Sequence, residues 1–203
     1  MAKIKICGLS RAADIAAVNR TMPDYAGFVF AESRRAVSAE AARGLKAMLD
    51  PAIKAVGVFA NEPIINVARL YADGVIGVVQ LHGGEGSEYI SELKRLCGCP
   101  VIRAVPVGDS PPVVGPSDAD YILFDSAQKF RGMAGGAFDW GLLSGCGSAP
   151  FFLAGGLTSV NVIDAIRKTD PYCVDVSGGV ETDGAKDARK IQKFIETVRG
   201  NGL

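Results

Sequence analysis

Short apolar, β-prone runs recur along the chain at Lys3–Cys7, Tyr25–Phe30, Lys54–Phe59, Gly77–Leu81, Val101–Val105, Tyr121–Phe124, Phe151–Ala154 and Cys173–Val176. Between most of them apolar residues fall at helical spacing behind a capping residue. Ser10 precedes Arg11–Arg20, with Ile15 and Val18 on one face, and Ser38 with Glu40 opens Ala39–Leu49. Glu62-Pro63 opens Ile64–Tyr71 with proline in a favoured first-turn position. Ser87 precedes Glu88–Leu96, Thr158 precedes Ser159–Lys168, and Asp187 precedes Ala188–Arg199. The fifth crossover breaks the pattern: Gly108–Ser117 is rich in Gly, Pro and Ser and predicts a short or irregular connection. The sixth helix, Asp139–Ser144, is short. Eight strands alternating with helices predict an α/β chain with a parallel sheet closed into a single (β/α)8 TIM barrel, one domain over residues 1–203. A doubly wound open sheet is the alternative, but neither a dinucleotide fingerprint nor a G-x-x-x-x-G-K-[ST] loop supports it.

Composition narrows the partners. Lys plus Arg and Asp plus Glu are 22 each, so no global charge points to nucleic acid or a membrane surface. Phosphorylated metabolites remain open, because helix N-termini and backbone N–H groups bind anions without net protein charge. No apolar stretch reaches the ~18 residues needed to span a bilayer, and Met1–Leu9, with Lys3 and Lys5, lacks the apolar core of a secretory signal. Five cysteines, an odd number, fit reduced thiols and a cytoplasmic location. Cys97-Gly98-Cys99 has no partner pair at metal-binding spacing, so no metal site is expected.

In a barrel of this kind chemistry collects at the C-terminal ends of the strands. The first run ends in Cys7-Gly8, the second leads to Ser33-Arg34-Arg35, and the fourth ends in Gln80-Leu81-His82-Gly83. The sixth ends in Asp125-Ser126, the seventh in Gly155-Gly156-Leu157-Thr158, and the eighth in Ser177-Gly178-Gly179-Val180-Glu181. Two adjacent glycine-bearing strand-to-helix turns, with Ser177 as a hydroxyl donor, point to a phosphate site; tight turning alone is the plainer reading. Alternation puts Lys3, Lys5 and Cys7 on one face of the first strand, facing the barrel interior, where an ammonium favours thiolate. Tyr121, Leu123 and Asp125 share a face in the sixth, so a thiolate and a carboxylic acid can face each other as base and acid. On position alone Cys7 is equally well a small buried hydrophobe. His82, the only histidine, reads first as a structural hydrogen-bonder, and its isolation argues against a Ser-His-Asp triad. One of Arg34 and Arg35 is expected to hold a substrate carboxylate, while Glu181 and Asp183 read as structural or solvated.

At these residues the chain resembles the phosphoribosylanthranilate isomerases of tryptophan biosynthesis. The matching segments are Lys5-Ile6-Cys7-Gly8-Leu9-Ser10, Gly57-Val58-Phe59-Ala60-Asn61, Gln80-Leu81-His82-Gly83 and Leu123-Phe124-Asp125-Ser126, followed by Phe138-Asp139-Trp140, Leu153-Ala154-Gly155-Gly156-Leu157 and Val174-Asp175-Val176-Ser177-Gly178-Gly179-Val180-Glu181. The resemblance implies an Amadori rearrangement of an aminoaldose to an aminoketose without metal or organic cofactor. It implies Cys7 as general base at C2 of the ring-opened imine and Asp125 as general acid at the furanose ring oxygen. Arg35 would bind the substrate carboxylate, Gln80, His82 and Asp175 would contact substrate, and Gly155, Gly156, Ser177, Gly178 and Gly179 would hold phosphate. The partner implied is the small-molecule substrate alone, with the protein a monomer or homodimer. Three departures stand out. Ser33-Arg34-Arg35 replaces Ser-Pro-Arg, Gly132-Met133-Ala134-Gly135 replaces Gly-Gly-Thr-Gly, and Gly178 replaces a usual serine.

Overall fold

Eight parallel strands follow one another in chain order in the computed structural model, which describes residues 1–127, 137–146 and 150–200. They are β1 (Lys3–Cys7), β2 (Tyr25–Val29), β3 (Lys54–Phe59), β4 (Val78–Leu81), β5 (Val101–Val107), β6 (Tyr121–Ser126), β7 (Phe151–Leu153) and β8 (Cys173–Val176). Each pairs with the next, and β8 pairs with β1 to close the barrel. Helices α1 (Ala12–Thr21), α2 (Ala39–Met48), α3 (Ile64–Ala72), α4 (Ser87–Cys97), α5 (Val162–Thr169) and α6 (Ala188–Gly200) lie between and after them.

The capping chemistry decides where the helices begin. Ser38 Oγ accepts the Ala41 N–H at 3.1 Å and starts α2 where its sequence places it. The start of α5 falls three residues later than the Ser159 expected behind Thr158. Asn161 accounts for the shift: it accepts the Thr158 N–H at 2.8 Å and donates to the Gly156 carbonyl at 3.0 Å, so its side chain ties down the loop after β7. No helix forms between β5 and β6. That crossover runs exposed, with Val113 89% accessible, and is moored to α4 by Lys94, which donates to the Asp118 carbonyl at 2.9 Å and to Asp120 at 2.8 Å. Before β7 a single 3-10 turn, Trp140–Leu143, stands where the short sixth helix is expected.

Strand alternation separates two cores. Ile4, Ile6, Phe28, Phe124, Leu153 and Val174 pack outward under the helices, whereas Tyr25, Val56, Val78, Ile102, Leu123 and Phe152 form a separate cluster inside the barrel. Tyr25 meets Phe152 edge-on with ring centroids 5.4 Å apart, plugging the N-terminal end. Lys3 departs from its expected place. Its ammonium stays at the lower rim on Asp24, 2.9 Å away, with the side chain half exposed, because a salt bridge in water costs less desolvation than burial. The upper interior is thereby left to Lys5 and Cys7 on β1, Gln80 on β4, Asp125 on β6 and Asp175 on β8.

Phe194 of α6 is wholly buried in the outer core. Phe194→Ala is expected to cost about 3–5 kcal/mol of stability through lost transfer energy and a residual cavity. A urea titration checks it, and an unchanged midpoint would show that α6 contributes little to holding the barrel.

Candidate active site

The seam between β1 and β8 carries the densest polar chemistry. Register places Lys5 beside Asp175, and the Lys5 ammonium lies 2.7 Å from Asp175 Oδ2 with its side chain fully buried. Burial works against that charge, but Asp175 and Cys7 outweigh it and hold the ammonium above the ordinary lysine range. Cys7, two residues further along β1, is also buried. Lys5 acts on Cys7 in the expected direction, but it does not decide the outcome. Burial is the largest influence and pushes the thiol above its ordinary value; the Lys5 ammonium opposes this, and the Asp175 carboxylate adds to it. A neighbouring cation does not lower the thiol's pKa where burial, helped by a nearby carboxylate, outweighs it.

Across the barrel mouth, Gln80 and His82 at the end of β4 meet Asp125 at the end of β6. Gln80 Nε2 lies 3.1 Å from His82 Nδ1. An amide nitrogen can only donate, so Nδ1 accepts and Nε2 carries the imidazole proton. Nε2 in turn lies 3.3 Å from Asp125 Oδ2, while Asp125 Oδ1 accepts its neighbour's N–H from Ser126 at 2.8 Å. His82 thus stands between Gln80 and the carboxyl of Asp125 at the barrel mouth. Gln80 Oε1 and Asp175 Oδ1 are buried acceptors without a hydrogen-bond donor among the described residues. In a polar cavity such acceptors are waiting for a ligand hydroxyl or water.

The loops after β7 and β8 form the third wall. Gly155 has φ +87°, and a side chain there would collide with Ser126. A Cβ at Gly179 would run into the Leu157 carbonyl, so the two loops touch through backbone and present it to the cavity. The Ser177 hydroxyl, expected to face phosphate, donates at 3.0 Å to the carbonyl of Cys7, coupling the β8 loop to the end of β1. Gly178–Val180 makes a single 3-10 turn, and a two-residue hairpin follows, β9 (Glu181–Thr182) against β10 (Ala185–Lys186).

Glu181 in that hairpin is a hub. One carboxylate accepts from Arg34 Nη2 at 2.6 Å, from Arg35 Nε at 2.6 Å and Nη2 at 2.9 Å, and from Lys186 Nζ at 2.6 Å. Burial alone would raise its pKa; the hydrogen bonds from Arg35 and Lys186 outweigh burial and hold the carboxyl at about 2. Both arginines of the Ser33-Arg34-Arg35 loop are thus positioned by one acid, and the arginine gained at position 34 gains a partner with it. Asp183, by contrast, is exposed at the hairpin tip with φ +49°. Sequence reasoning missed Lys186 altogether, and the only available signal was a lysine shortly after the second glycine loop.

Cys7, Arg35, Gln80, His82, Asp125 and Asp175 line one open cavity of about 860 Å³ at the C-terminal mouth, together with Gly155, Gly156, Ser177, Gly178 and Gly179. Every residue singled out above on resemblance thus borders the same space. The loop Gly132-Met133-Ala134-Gly135 lies outside the described residues. No group of three or more His, Cys, Asp or Glu arranged to hold a metal occurs among the described residues, and no described helix is long and apolar enough to cross a membrane. All five cysteines are free.

Acid–base side chains converging at the C-terminal mouth beside two backbone-lined loops define a (β/α)8-barrel enzyme. A family model described as N-(5'phosphoribosyl)anthranilate (PRA) isomerase matches residues 4–197. The N-(5'-phosphoribosyl)anthranilate isomerase of Endomicrobium trichonymphae is 48% identical over 200 residues, covering 98% of each chain. Among solved structures, phosphoribosyl anthranilate isomerase from Thermotoga maritima superposes with a TM-score of 0.87 at 32% identity, covering 98% of this chain and 100% of that one. An isomerase of the same name, in complex with reduced 1-(o-carboxyphenylamino)-1-deoxyribulose 5-phosphate, gives 0.83 at 31% identity over 98% of this chain and 100% of that one. The chain belongs to the phosphoribosylanthranilate isomerase family.

Two measurements follow from the electrostatics. Site-resolved alkylation of Cys7 is expected to accelerate with a midpoint above the ordinary thiol value of 9.0 in the unliganded protein; a midpoint below it would restore a resting thiolate. For Glu181, the folded value of about 2 lies below the ordinary 4.5, so its contribution is complete above pH 4.5 and is lost as pH falls toward 2. Glu181→Gln is therefore expected to flatten the acid limb of stability between those limits in denaturant titrations, and an unaltered limb would show that the hub stores no such energy.

Proposed function

We propose that this barrel, acting as one catalytic domain, carries out the Amadori rearrangement of N-(5'-phosphoribosyl)anthranilate to 1-(2-carboxyphenylamino)-1-deoxyribulose 5-phosphate, the isomerase step of L-tryptophan biosynthesis. The observation that carries this reading is the composition of the one cavity. A thiol stands on the β1 wall and a carboxyl at the end of β6, beside two glycine-bearing loops that border the same space.

In this reading Asp125, in its acid form, protonates the furanose ring oxygen, and the ring C–O bond breaks to leave the protonated imine of the open-chain sugar. The Cys7 thiolate then removes the proton from C2, and the resulting enolamine tautomerises to the aminoketose. Cys7 ends as a thiol and Asp125 as a carboxylate, so one proton must pass back before the next turnover. Burial holds the Cys7 thiol above its ordinary value. Fewer molecules hold the thiolate at neutral pH, but each is a stronger base toward a carbon acid. His82, its proton directed at Asp125, steers the carboxyl toward the ring oxygen.

The substrate is anionic at both ends, and the cavity suits it. Arg35 uses Nε and one face of Nη2 on Glu181, which leaves Nη1 for the anthranilate carboxylate. The backbone of Gly155, Gly156, Ser177, Gly178 and Gly179, all of which border the cavity, receives the phosphate. The buried acceptors Asp175 Oδ1 and Gln80 Oε1 take ribose hydroxyls. No cofactor is called on, since both proton transfers are within the reach of side chains.

Cys7→Ala and Asp125→Asn are each expected to lower turnover by about 10²–10⁴ with the fold preserved. The check is the fluorescence decay of freshly generated phosphoribosylanthranilate, with circular dichroism as the fold control. Near wild-type turnover in either variant removes that residue from the role given to it.

A further inference from the structure

Lys186 stands out because no step above uses it. Its side chain is only 2% exposed. All three ammonium protons are committed: to the Ser177 carbonyl at 3.0 Å, the Ser177 hydroxyl at 3.2 Å and Glu181 Oε1 at 2.6 Å. It lies behind the cavity wall and not in it. Burying an ammonium is expensive, and an apolar side chain of similar volume would brace the hairpin as well.

The Ser177 carbonyl belongs to the same peptide group as the Gly178 N–H. An ammonium on that oxygen draws electron density from the whole amide and makes the Gly178 N–H a stronger donor, because bonds in a chain polarise one another. Charge acts in the same direction. Arg34, Arg35 and Lys186 share the single carboxylate of Glu181, so the cluster carries a net charge of +2. This excess sits in a chain whose formal net charge is zero. Lys186 bonds Ser177 of the loop after β8 directly, Arg35 Nη2 lies 3.7 Å from where a Gly178 Cβ would stand, and the low-dielectric wall around Lys186 weakens screening.

We propose that Lys186 is a positioning residue of the phosphate site: from behind the wall its ammonium polarises the peptide that presents the Gly178 N–H and supplies the fixed positive charge of the β8 loop. This rests on the assignment of phosphate to the loops after β7 and β8. Glu181 then has the opposite effect on the two ends of the substrate. It aims Arg35 at the carboxylate, and it partly cancels the charge that attracts the phosphate.

That opposition supplies the test. Inorganic phosphate is titrated as a competitive inhibitor of the isomerase and, directly, by calorimetry, with anthranilate as the probe of the Arg35 end. Lys186→Met is expected to weaken phosphate about tenfold or more, the scale on which a weakly screened unit charge a few ångströms away attracts an anion, while anthranilate affinity changes much less. Glu181→Gln retains Lys186 and an acceptor for it, and is expected to hold or tighten phosphate while anthranilate weakens. A bracing role alone predicts that both variants lose phosphate affinity together with thermal stability, and that result overturns the proposal. So does unaltered phosphate affinity in a folded Lys186→Met protein. If Lys186→Met does not fold, Glu181→Gln decides: weaker phosphate overturns the proposal, and retained or tighter phosphate upholds it. Wild-type protein that binds no phosphate by either method overturns the phosphate assignment itself, which separates that failure from the others.

Discussion

The pairing of β8 with β1 is the constraint from which the site follows. Closure sets Lys5 beside Asp175 in register and so places a fully buried ion pair under the cavity floor. Breaking such a pair by removing one partner costs about 3–5 kcal/mol, because the other is left charged and dry. The register is therefore strongly specified: a slip of β1 by one residue would turn Lys5 outward into the apolar layer under the helices and leave Asp175 without its partner. With the register set, Cys7 reaches the mouth on one strand and Ser177 on the other, and the hydroxyl of Ser177 ties the two strand ends together.

The electrostatics of that seam are divided between two anions. Asp175 keeps Lys5 charged and, through its own charge, works against ionisation of Cys7. Glu181 gathers Arg34, Arg35 and Lys186. The floor below Cys7 is consequently close to neutral, whereas the rim above it is positive. A positive rim suits the doubly anionic substrate proposed for the site.

Much of the barrel was legible in the sequence because closed parallel sheets impose periodicities that a chain cannot hide. All eight strands lie where the β-prone runs lie, with ends shifted by up to two residues, and the Gly- and Pro-rich fifth crossover is irregular as its composition implies. The misses have physical causes. Asn161 displaced the start of α5 because its side chain bonds the preceding loop, which only the folded loop reveals. Residue alternation correctly assigned Lys3 to a face but not to a depth, and depth determined that it stays in water. The lowered thiol pKa inferred from Lys5 failed for a similar reason: the sequence shows the cation on the same strand, but not how deeply the thiol is buried, nor the carboxylate of Asp175 that adds to the effect of burial. Lys186 and the full role of Glu181 were illegible because they depend on a two-residue hairpin that folds back on the loop it follows. The candidate site residues themselves were legible mainly through family resemblance, since position alone left Cys7 and His82 open.

The helix missing between β5 and β6 has a consequence for how the chain can be divided. Residues 108–120 form an exposed connection tied down at only a few points, and exposed connections of this kind are the usual sites of nicking and insertion. A cut there yields an N-terminal fragment with β1–β5 and a C-terminal fragment with β6–β8. Cys7 and Lys5 leave on the first, and Asp125, Asp175, both glycine loops and Lys186 on the second. Neither fragment holds both the thiol and the carboxyl, and the buried ion pair is split as well. Recovery of turnover by mixed fragments would therefore report reassembly of the barrel at two places, the severed β5–β6 edge and the β8–β1 seam.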